Sequence, residues 1–132
     1  MSDFKKLEVW RKAHALVLNV HRVAIAIRGP NYAGLRSQLI RASMSIPTNI
    51  VEGNGQRTTL EFGRFIRIAL NSASELEYHL IITRDLQLIS VSDFATLSAQ
   101  TIEVRKMMHG LLRHLSRKSS KSGGTEGPDV VV

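Results

Sequence analysis

The sequence predicts an all-α protein, an antiparallel four-helix bundle in up-down-up-down order with the second helix kinked or broken at Pro47. Two observations support the bundle: apolar residues recur at alternating spacings of three and four in four segments, and only short loops separate these segments. No strand-like segment competes with this pattern. The proline is the third observation, because it falls where the second helix is already established.

The first predicted helix has more apolar residues than one face of a bundle helix requires. Its periodic stripe comprises Trp10, Ala13, Val17, Val20, Ala24 and Ile27, and Gly29-Pro30 ends it. Leu18 and Ile25 lie more than about 100° from the centre of that stripe, where a monomeric bundle helix is expected to be polar. We therefore predict that Leu18 and Ile25 contribute to the interface of a homo-oligomer. The alternative is that they are two of the scattered surface hydrophobes common in proteins.

The second predicted helix contains a proline within its apolar stripe of Leu35, Leu39, Ala42 and Ile46. Pro47 offers no N–H to the carbonyl of Ser43, and its ring crowds that carbonyl, which costs roughly 3 kcal/mol or more in a helix interior. We therefore expect a kink, or a break with Pro47 starting a new helix. Asn49 continues the apolar stripe and is predicted to serve the disturbed backbone. Gly53 is predicted to end the helix as a left-handed cap.

The third and fourth helices have recognisable start signals. Thr58-Thr59-Leu60-Glu61 is a capping box, and the helix that follows is expected to end around Leu88. Ser90 or Ser92 is expected to cap the fourth helix, whose apolar stripe continues to Leu115. We assign residues 1–118 to the bundle. Residues 119–132 are small and polar until three final valines, and we predict that they form a disordered C-terminal tail.

The charge balance favours a polyanionic partner. Eighteen Lys and Arg residues against eleven Asp and Glu residues give a net charge of +7, of which the segment from Arg117 onward contributes only +1. Most of the excess therefore lies on the helical body. Few aromatic residues accompany these cations, so RNA or DNA would be bound through phosphates rather than by base stacking. The candidate nucleic-acid-binding residues are Arg57, Arg64, Arg67, Lys106, Arg113 and Arg117.

The sequence shows no pattern typical of an enzyme, a metal site or a membrane protein. The chain has no cysteine, its five histidines form no His-Glu-x-x-His set, and Gly53-Asn54-Gly55 lacks the Gly-Lys-Ser/Thr of a phosphate loop. Glu52 and Arg57 are expected to form a salt bridge that closes the loop after the second helix. We therefore expect no catalytic residue, cofactor, metal or small-molecule substrate. No apolar run approaches the ~20 residues of a membrane span, and no secretory signal is evident, so we expect a cytoplasmic protein.

One segment resembles a known family. Ser45-Ile46-Pro47, Asn49-Ile50, Glu52-Gly53 and Arg57, followed by FGRFIRIALNSASELEYHL, are similar to the four-helix bundle proteins encoded within intervening sequences of bacterial 23S ribosomal RNA genes. The resemblance extends from Phe4 to Leu115, with Val51 where alanine is common and Asn71 where glycine is common. It implies a bundle that assembles into a ring of five subunits with RNA as a partner. It also implies that Ser45, Pro47, Asn49, Glu52 and Gly53 are motif residues with structural roles.

Two functions from different classes fit these observations. The first is a non-enzymatic, oligomeric bundle that binds RNA or DNA through phosphate contacts by basic residues. The alternative is a structural or protein-interaction scaffold whose positive charge serves only solubility. The two differ in the position of the charge, because binding requires cations that converge on one face, whereas a scaffold tolerates cations interspersed with acids.

Overall fold

The computed structural model describes the backbone of residues 2–122 and the side chains of residues 2–120. In this part of the chain four α-helices follow one another: α1 (Glu8–Ala26), α2 (Ala33–Asn54), α3 (Thr59–Asp85) and α4 (Val91–Ser122). Short 3-10 turns precede α1 at Phe4–Lys6 and α2 at Pro30–Tyr32. No strand occurs in residues 2–122. The predicted all-α, four-helix fold is therefore confirmed.

Each helix packs against two neighbours in the cyclic order α1, α2, α3, α4. Contacts between α1 and α4 show that these helices are antiparallel, because Lys12 pairs with Glu103 whereas Arg22, further along α1, pairs with the earlier residue Asp93. The N···O distance is 3.5 Å in both pairs. Exposed pairs of this kind contribute about 0–1 kcal/mol each, so the apolar core between the helices supplies most of the stability.

The buried stripe of α1 is rotated from its predicted position. The predicted stripe does not include Val9, Leu16 and Val23, yet these are fully or almost fully buried, whereas Trp10 and Val17 are only half-buried. The helix uses the rotated stripe because it packs on both α2 and α4, and the line through Val9 and Leu16 faces the space between them. Leu18 and Ile25 are 58% and 59% exposed. The prediction that both lie off the core is confirmed.

Helix α2 continues through Pro47, so of the two expected outcomes, a kink or a break, the break does not occur. Pro47 itself is buried, and polar side chains around it bond to backbone carbonyls one turn earlier. Thr48 Oγ1 donates to the Met44 carbonyl at 2.8 Å, and Asn49 Nδ2 donates to the Ser45 carbonyl at 2.8 Å. Neither acceptor is the carbonyl of Ser43 that faces the proline ring. Asn49 is half-buried and bonds the backbone near the proline, as the sequence predicts.

Gly53 is not a left-handed cap but a point of close contact between helices. It lies inside α2, is buried, and has no positive φ. A Cβ atom at this position would lie 2.7 Å from Phe62 Cδ1 and 2.9 Å from Phe65 Cβ on α3. Ser45 and Ser72 also meet across this pair of helices, with their hydroxyl oxygens 2.7 Å apart. Small residues therefore allow α2 and α3 to approach closely.

The helix starts follow the predicted caps, and two helix ends differ from the sequence prediction. Thr58 Oγ1 accepts the Glu61 N–H at 3.1 Å, and Ser90 Oγ, rather than Ser92, accepts the Asp93 N–H at 2.9 Å. Helix α3 ends at Asp85 instead of near Leu88, because Gln87 adopts a left-handed φ of 61°. Helix α4 continues to Ser122, so residues 119–122 are helical rather than disordered. The rest of the predicted tail, residues 123–132, lies outside the described residues.

Two polar side chains anchor the ends of the bundle in ways that the sequence pattern does not indicate. Asn54 is buried at the end of α2, where its Nδ2 donates to the Ser2 carbonyl at 2.6 Å and its Oδ1 accepts the Ser2 hydroxyl at 3.0 Å. Arg36 Nη1 donates to the carbonyls of Ile27 and Gly29, both at 2.9 Å. Arg36 thereby satisfies carbonyls that follow α1, and it is a structural residue.

Because of the close contact at Gly53, we predict that alanine substitutions at two glycines of α2 have opposite effects on stability. Gly53→Ala should lower the free energy of unfolding by about 1–3 kcal/mol, because the backbone-fixed Cβ of Phe65 cannot move away without separating α2 from α3. Gly34→Ala is the matched control, since a Cβ at Gly34 meets no atom within 4 Å. It should raise stability by about 0.4–1 kcal/mol. Urea denaturation of the two variants measures both effects, and an equal shift in both would contradict the packing role of Gly53.

Candidate nucleic-acid interface

Three of the predicted binding residues form a line on the outer face of α4. Lys106, Arg113 and Arg117 are exposed and are separated by seven and four residues, which places them on one side of the helix. The buried residues Met108 and Leu115 belong to the opposite side. No ion pair within 4 Å involves these three cations in the described part of the chain. Their side chains are therefore available to a ligand from solvent.

Arg67 lies on α3 at the groove between α3 and α4. It lines this groove together with Asn71 and Ser74 of α3 and with Arg105 and His109 of α4. The Arg67 and His109 side chains are exposed. Arg105 is engaged, because its Nη1 donates to both carboxylate oxygens of Glu77 at 2.9 Å. The groove thus presents one exposed guanidinium and one imidazole beside an existing ion pair.

Arg105 and His109 were not among the predicted binding residues. Both lie on the side of α4 that faces α3, roughly 60–100° from the line of exposed cations at 100° per residue. Their spacing of four does place them on one helical face. Sequence alone does not show which neighbouring helix that face meets. The spacing of Arg105 and His109 was therefore not enough to predict that they share a groove with Arg67.

The remaining predicted residues lie around the start of α3. Arg57 is exposed in the loop between α2 and α3, and Arg64 is exposed on the first turns of α3. Arg64 Nη1 is 3.3 Å from Glu61 Oε1, a pair on the surface of the helix. The expected salt bridge between Glu52 and Arg57 is not formed, since no contact within 4 Å joins them in the described chain. Glu52 instead accepts, through its backbone carbonyl, a bond from Gln56 Nε2 at 3.0 Å.

The second half of α4 is rich in cations and contains no acid. From Arg105 to Lys121 the sequence has six Lys and Arg residues and no Asp or Glu, the last acidic residue of the helix being Glu103. Because α3 and α4 are antiparallel, Gly63 near the start of α3 faces Leu112 of this segment. Arg57, Arg64 and Arg67 therefore lie at the same end of the bundle as this acid-free segment.

The described residues offer no metal site and no membrane-spanning helix. Within residues 2–120 no group of three or more His, Asp and Glu side chains is close enough to hold a metal ion. None of the described helices combines the length and apolar character that crossing a membrane requires.

The motif residues of α2 have identifiable structural roles. Pro47 is buried, Asn49 bonds the carbonyl and the hydroxyl of Ser45, and Ser45 in turn bonds Ser72 of α3. Gly53 permits the contact with Phe62. This segment therefore shapes the packing of α2 on α3 and does not form a pocket with the cations.

Comparisons with known proteins agree with this architecture. A crystal structure of a protein of unknown function from the S23 ribosomal protein family of Bacteroides thetaiotaomicron superposes with a TM-score of 0.74. The two chains are 20% identical, and the match covers 80% of this chain and 98% of the other, which shows a shared fold. A search of curated proteins finds no match. The sequence model of the 23S rRNA-intervening sequence protein family matches residues 5–110, and the chain therefore belongs to that family.

Proposed function

We propose that this protein is a non-enzymatic, oligomeric four-helix bundle of the cytoplasm that binds RNA or DNA through phosphate contacts by basic residues. The observation that carries the proposal is the acid-free segment of α4 from Arg105 to Lys121. A helix face without acids presents a continuous positive potential, to which a phosphate backbone is attracted irrespective of base sequence.

The outer line of α4 supplies the first set of contacts. Lys106, Arg113 and Arg117 are exposed and have no acidic partner in the described chain, so binding a phosphate would break no existing ion pair. Lys106 and Arg113 are seven residues apart, which corresponds to about 10 Å along the helix axis. Successive phosphates of one strand of a duplex are spaced by less than this, so a strand lying along α4 could contact each cation in turn.

The start of α3 supplies further positive charge at the same end of the bundle. Arg57 and Arg67 are exposed without an ion-pair partner in the described chain, and Arg64 is paired only with the neighbouring Glu61 on the surface. Since exposed pairs contribute about 0–1 kcal/mol, a phosphate can displace Glu61 at little cost. The name of the family, which refers to 23S rRNA intervening sequences, adds support for RNA as the partner.

Assembly into a homo-oligomer would multiply these contacts. Leu18 and Ile25 are both more than half exposed and lie seven residues apart on one side of α1, away from α2 and α4. Burying the exposed part of each side chain would stabilise an interface by about 1–2 kcal/mol. The five-subunit ring is the assembly that the family resemblance implies. In such a ring, phosphate contacts that are weak in one subunit add up over five copies.

A structural or protein-interaction scaffold is the second candidate, and a specific feature favours it. An apolar groove between α1 and α2 is lined by Phe4, Trp10, Val17, Met44 and Val51, and Met44 is exposed. Exposed apolar surface of this kind is typical of protein contacts. A scaffold has no requirement for an acid-free helix segment, so we place nucleic-acid binding first.

Binding should depend on salt through the exposed cations of α4. Replacing Arg113 and Arg117 by glutamine should weaken binding to all sequences alike, and should reduce the slope of log K against log salt on duplex DNA by about 1.8, since each phosphate contributes about 0.9. Glutamine retains side-chain length and helix propensity, so the fold should be unaffected. Filter binding of labelled structured RNA and duplex DNA at several salt concentrations measures both quantities.

The matched control for this experiment removes the same charge elsewhere. Arg28→Gln with Arg41→Gln lowers the net charge by two at exposed positions outside the candidate interface, and should leave the salt slope unchanged. Equal losses in both double variants would indicate a net-charge effect without a defined interface. If the wild-type protein binds neither nucleic acid at about 50 mM salt, the nucleic-acid proposal is wrong and the scaffold remains.

The oligomer interface can be tested by placing charge on α1. Leu18→Glu with Ile25→Glu should convert the assembly to monomers, because burying two carboxylates in an apolar interface is strongly unfavourable. Ile68→Glu with Tyr78→Glu is the matched control on exposed apolar residues of α3. Light scattering coupled to size-exclusion chromatography gives the mass of each. A wild-type monomer at micromolar concentration, or dissociation only in the α3 variant, would refute the assignment of the interface to α1.

A further inference from the structure

A cavity of about 240 Å³ lies between the start of α3 and the end of α4. This is roughly eight times the ~30 Å³ that a water molecule occupies in the liquid, so the cavity has room for a phosphate group and part of an attached sugar. Its walls differ in character. Three leucines, Leu60, Leu112 and Leu115, form the apolar part, and the polar part consists of Thr59, Arg67, Ser116, Ser119 and Ser120.

The hydroxyl of Thr59 is an unexplained polar group at this cavity. Thr59 is 1% exposed, and its Oγ1 has no hydrogen-bond partner among the residues that the structure describes. The other buried threonines and serines in the described part of the chain donate to a carbonyl one turn earlier, as Thr83 does to His79 at 2.6 Å and Thr101 does to Leu97 at 2.7 Å. Leaving a buried hydroxyl unpaired costs stability, so a partner supplied by a ligand accounts for a threonine at this position.

The charge around the cavity selects an anion. Arg67 lines it, is exposed, and has no acidic partner in the described chain. Thr59 and Leu60 are the first two residues of α3, and their N–H groups precede the first intrahelical bond, which Phe62 donates to the Thr58 carbonyl at 3.1 Å. Free N–H groups and the positive end of the helix dipole stabilise phosphate oxygens. Among the described residues, no acidic side chain lines the cavity.

We propose that this cavity holds one phosphate group of the bound nucleic acid. The Arg67 guanidinium supplies the counter-charge, and the hydroxyls of Thr59, Ser116 and Ser119 donate to the phosphate oxygens. The three leucines contact the carbon atoms of the adjoining sugar. The inference rests on the proposed nucleic-acid function and adds to it a defined site, which residues of both α3 and α4 line.

Thr59→Val separates a ligand-binding role from a structural one. Valine has the same shape without the hydroxyl, so the free protein should be equally or more stable, since an unpaired buried group is removed. Affinity for inorganic phosphate and for RNA should fall roughly ten-fold, the loss of one hydrogen bond to a charged group. Arg67→Gln should weaken phosphate binding at least as much, whereas Arg41→Gln should leave it unchanged.

The measurement is an NMR titration of the full chain with inorganic phosphate at constant ionic strength, followed by RNA binding of the same variants. Phosphate should shift the amide signals of Thr59, Leu60, Ser116 and Ser119 in the wild-type protein. Comparing RNA that has a 5′-phosphate with the same RNA that has a 5′-hydroxyl shows whether the phosphate in the cavity is terminal or belongs to the backbone. Tighter binding of the former assigns a terminal phosphate to the cavity, and equal binding assigns a phosphate of the backbone.

The outcomes distinguish failure of this site from failure of the proposed function. If Thr59→Val lowers stability and leaves both affinities unchanged, the hydroxyl is structural and the proposal is overturned. RNA binding that depends on Arg113 and Arg117 but not on Thr59 or Arg67 overturns the cavity site and retains the nucleic-acid function. If inorganic phosphate shifts the amide signals at the cavity but no RNA binds, the cavity is an anion site, and the proposal that its ligand is a phosphate of a nucleic acid is refuted.

Discussion

The close packing of α2 against α3 is the constraint on which the rest of the bundle depends. Gly53 lies so near Phe62 and Phe65 that a single methyl group would overlap them, and the hydroxyls of Ser45 and Ser72 bond across the same interface at 2.7 Å. Two helices can approach in this way only where small residues, here Gly53, Ser45 and Ser72, occupy the contact. Because interiors are packed at crystal-like density, this one contact fixes the distance and the register of the central helix pair.

The register of that pair determines where the charged surface forms. The contact lies within the first two turns of α3, and the antiparallel neighbour α4 returns to the same end, where Gly63 faces Leu112. The acid-free half of α4 is thereby placed beside Arg64 and Arg67. Cations that are separated by about fifty residues in the chain come to share one end of the molecule. Ion pairs such as Arg22 with Asp93 join α1 to α4 towards the other end.

Two features of the candidate interface do not serve the stability of the isolated fold. Within the described part of the chain, several exposed arginines have no acidic partner, and the hydroxyl of Thr59 is buried without a hydrogen bond. Natural proteins depart from local rules of this kind mainly at functional sites. The two departures occur at the same end of the bundle, which is why we connect the cavity with the basic surface. The exposed Leu18 and Ile25 are a third departure, on a different helix, and under the proposed function they form the interface between subunits.

The sequence alone determined the number of helices, the cap at Thr58, and the exposure of Leu18 and Ile25, because these depend on periodicity and on hydrogen bonds within about one turn. It narrowed the cap of α4 to Ser90 or Ser92, and the structure shows that the cap is Ser90. The motif around Pro47 also indicated the family, because it is a contiguous stretch of the sequence. The tertiary structure decided what depends on distant segments. In the structure Gly53 is a packing site and not the predicted cap, and α2 is continuous through Pro47. The buried stripe of α1 is rotated from its predicted position. The structure also showed that Arg67 lies beside Thr59 and Ser116 and not on the outer line of α4 cations. Sequence could not show this, because residues far away in the chain decide which side of a helix meets a neighbour.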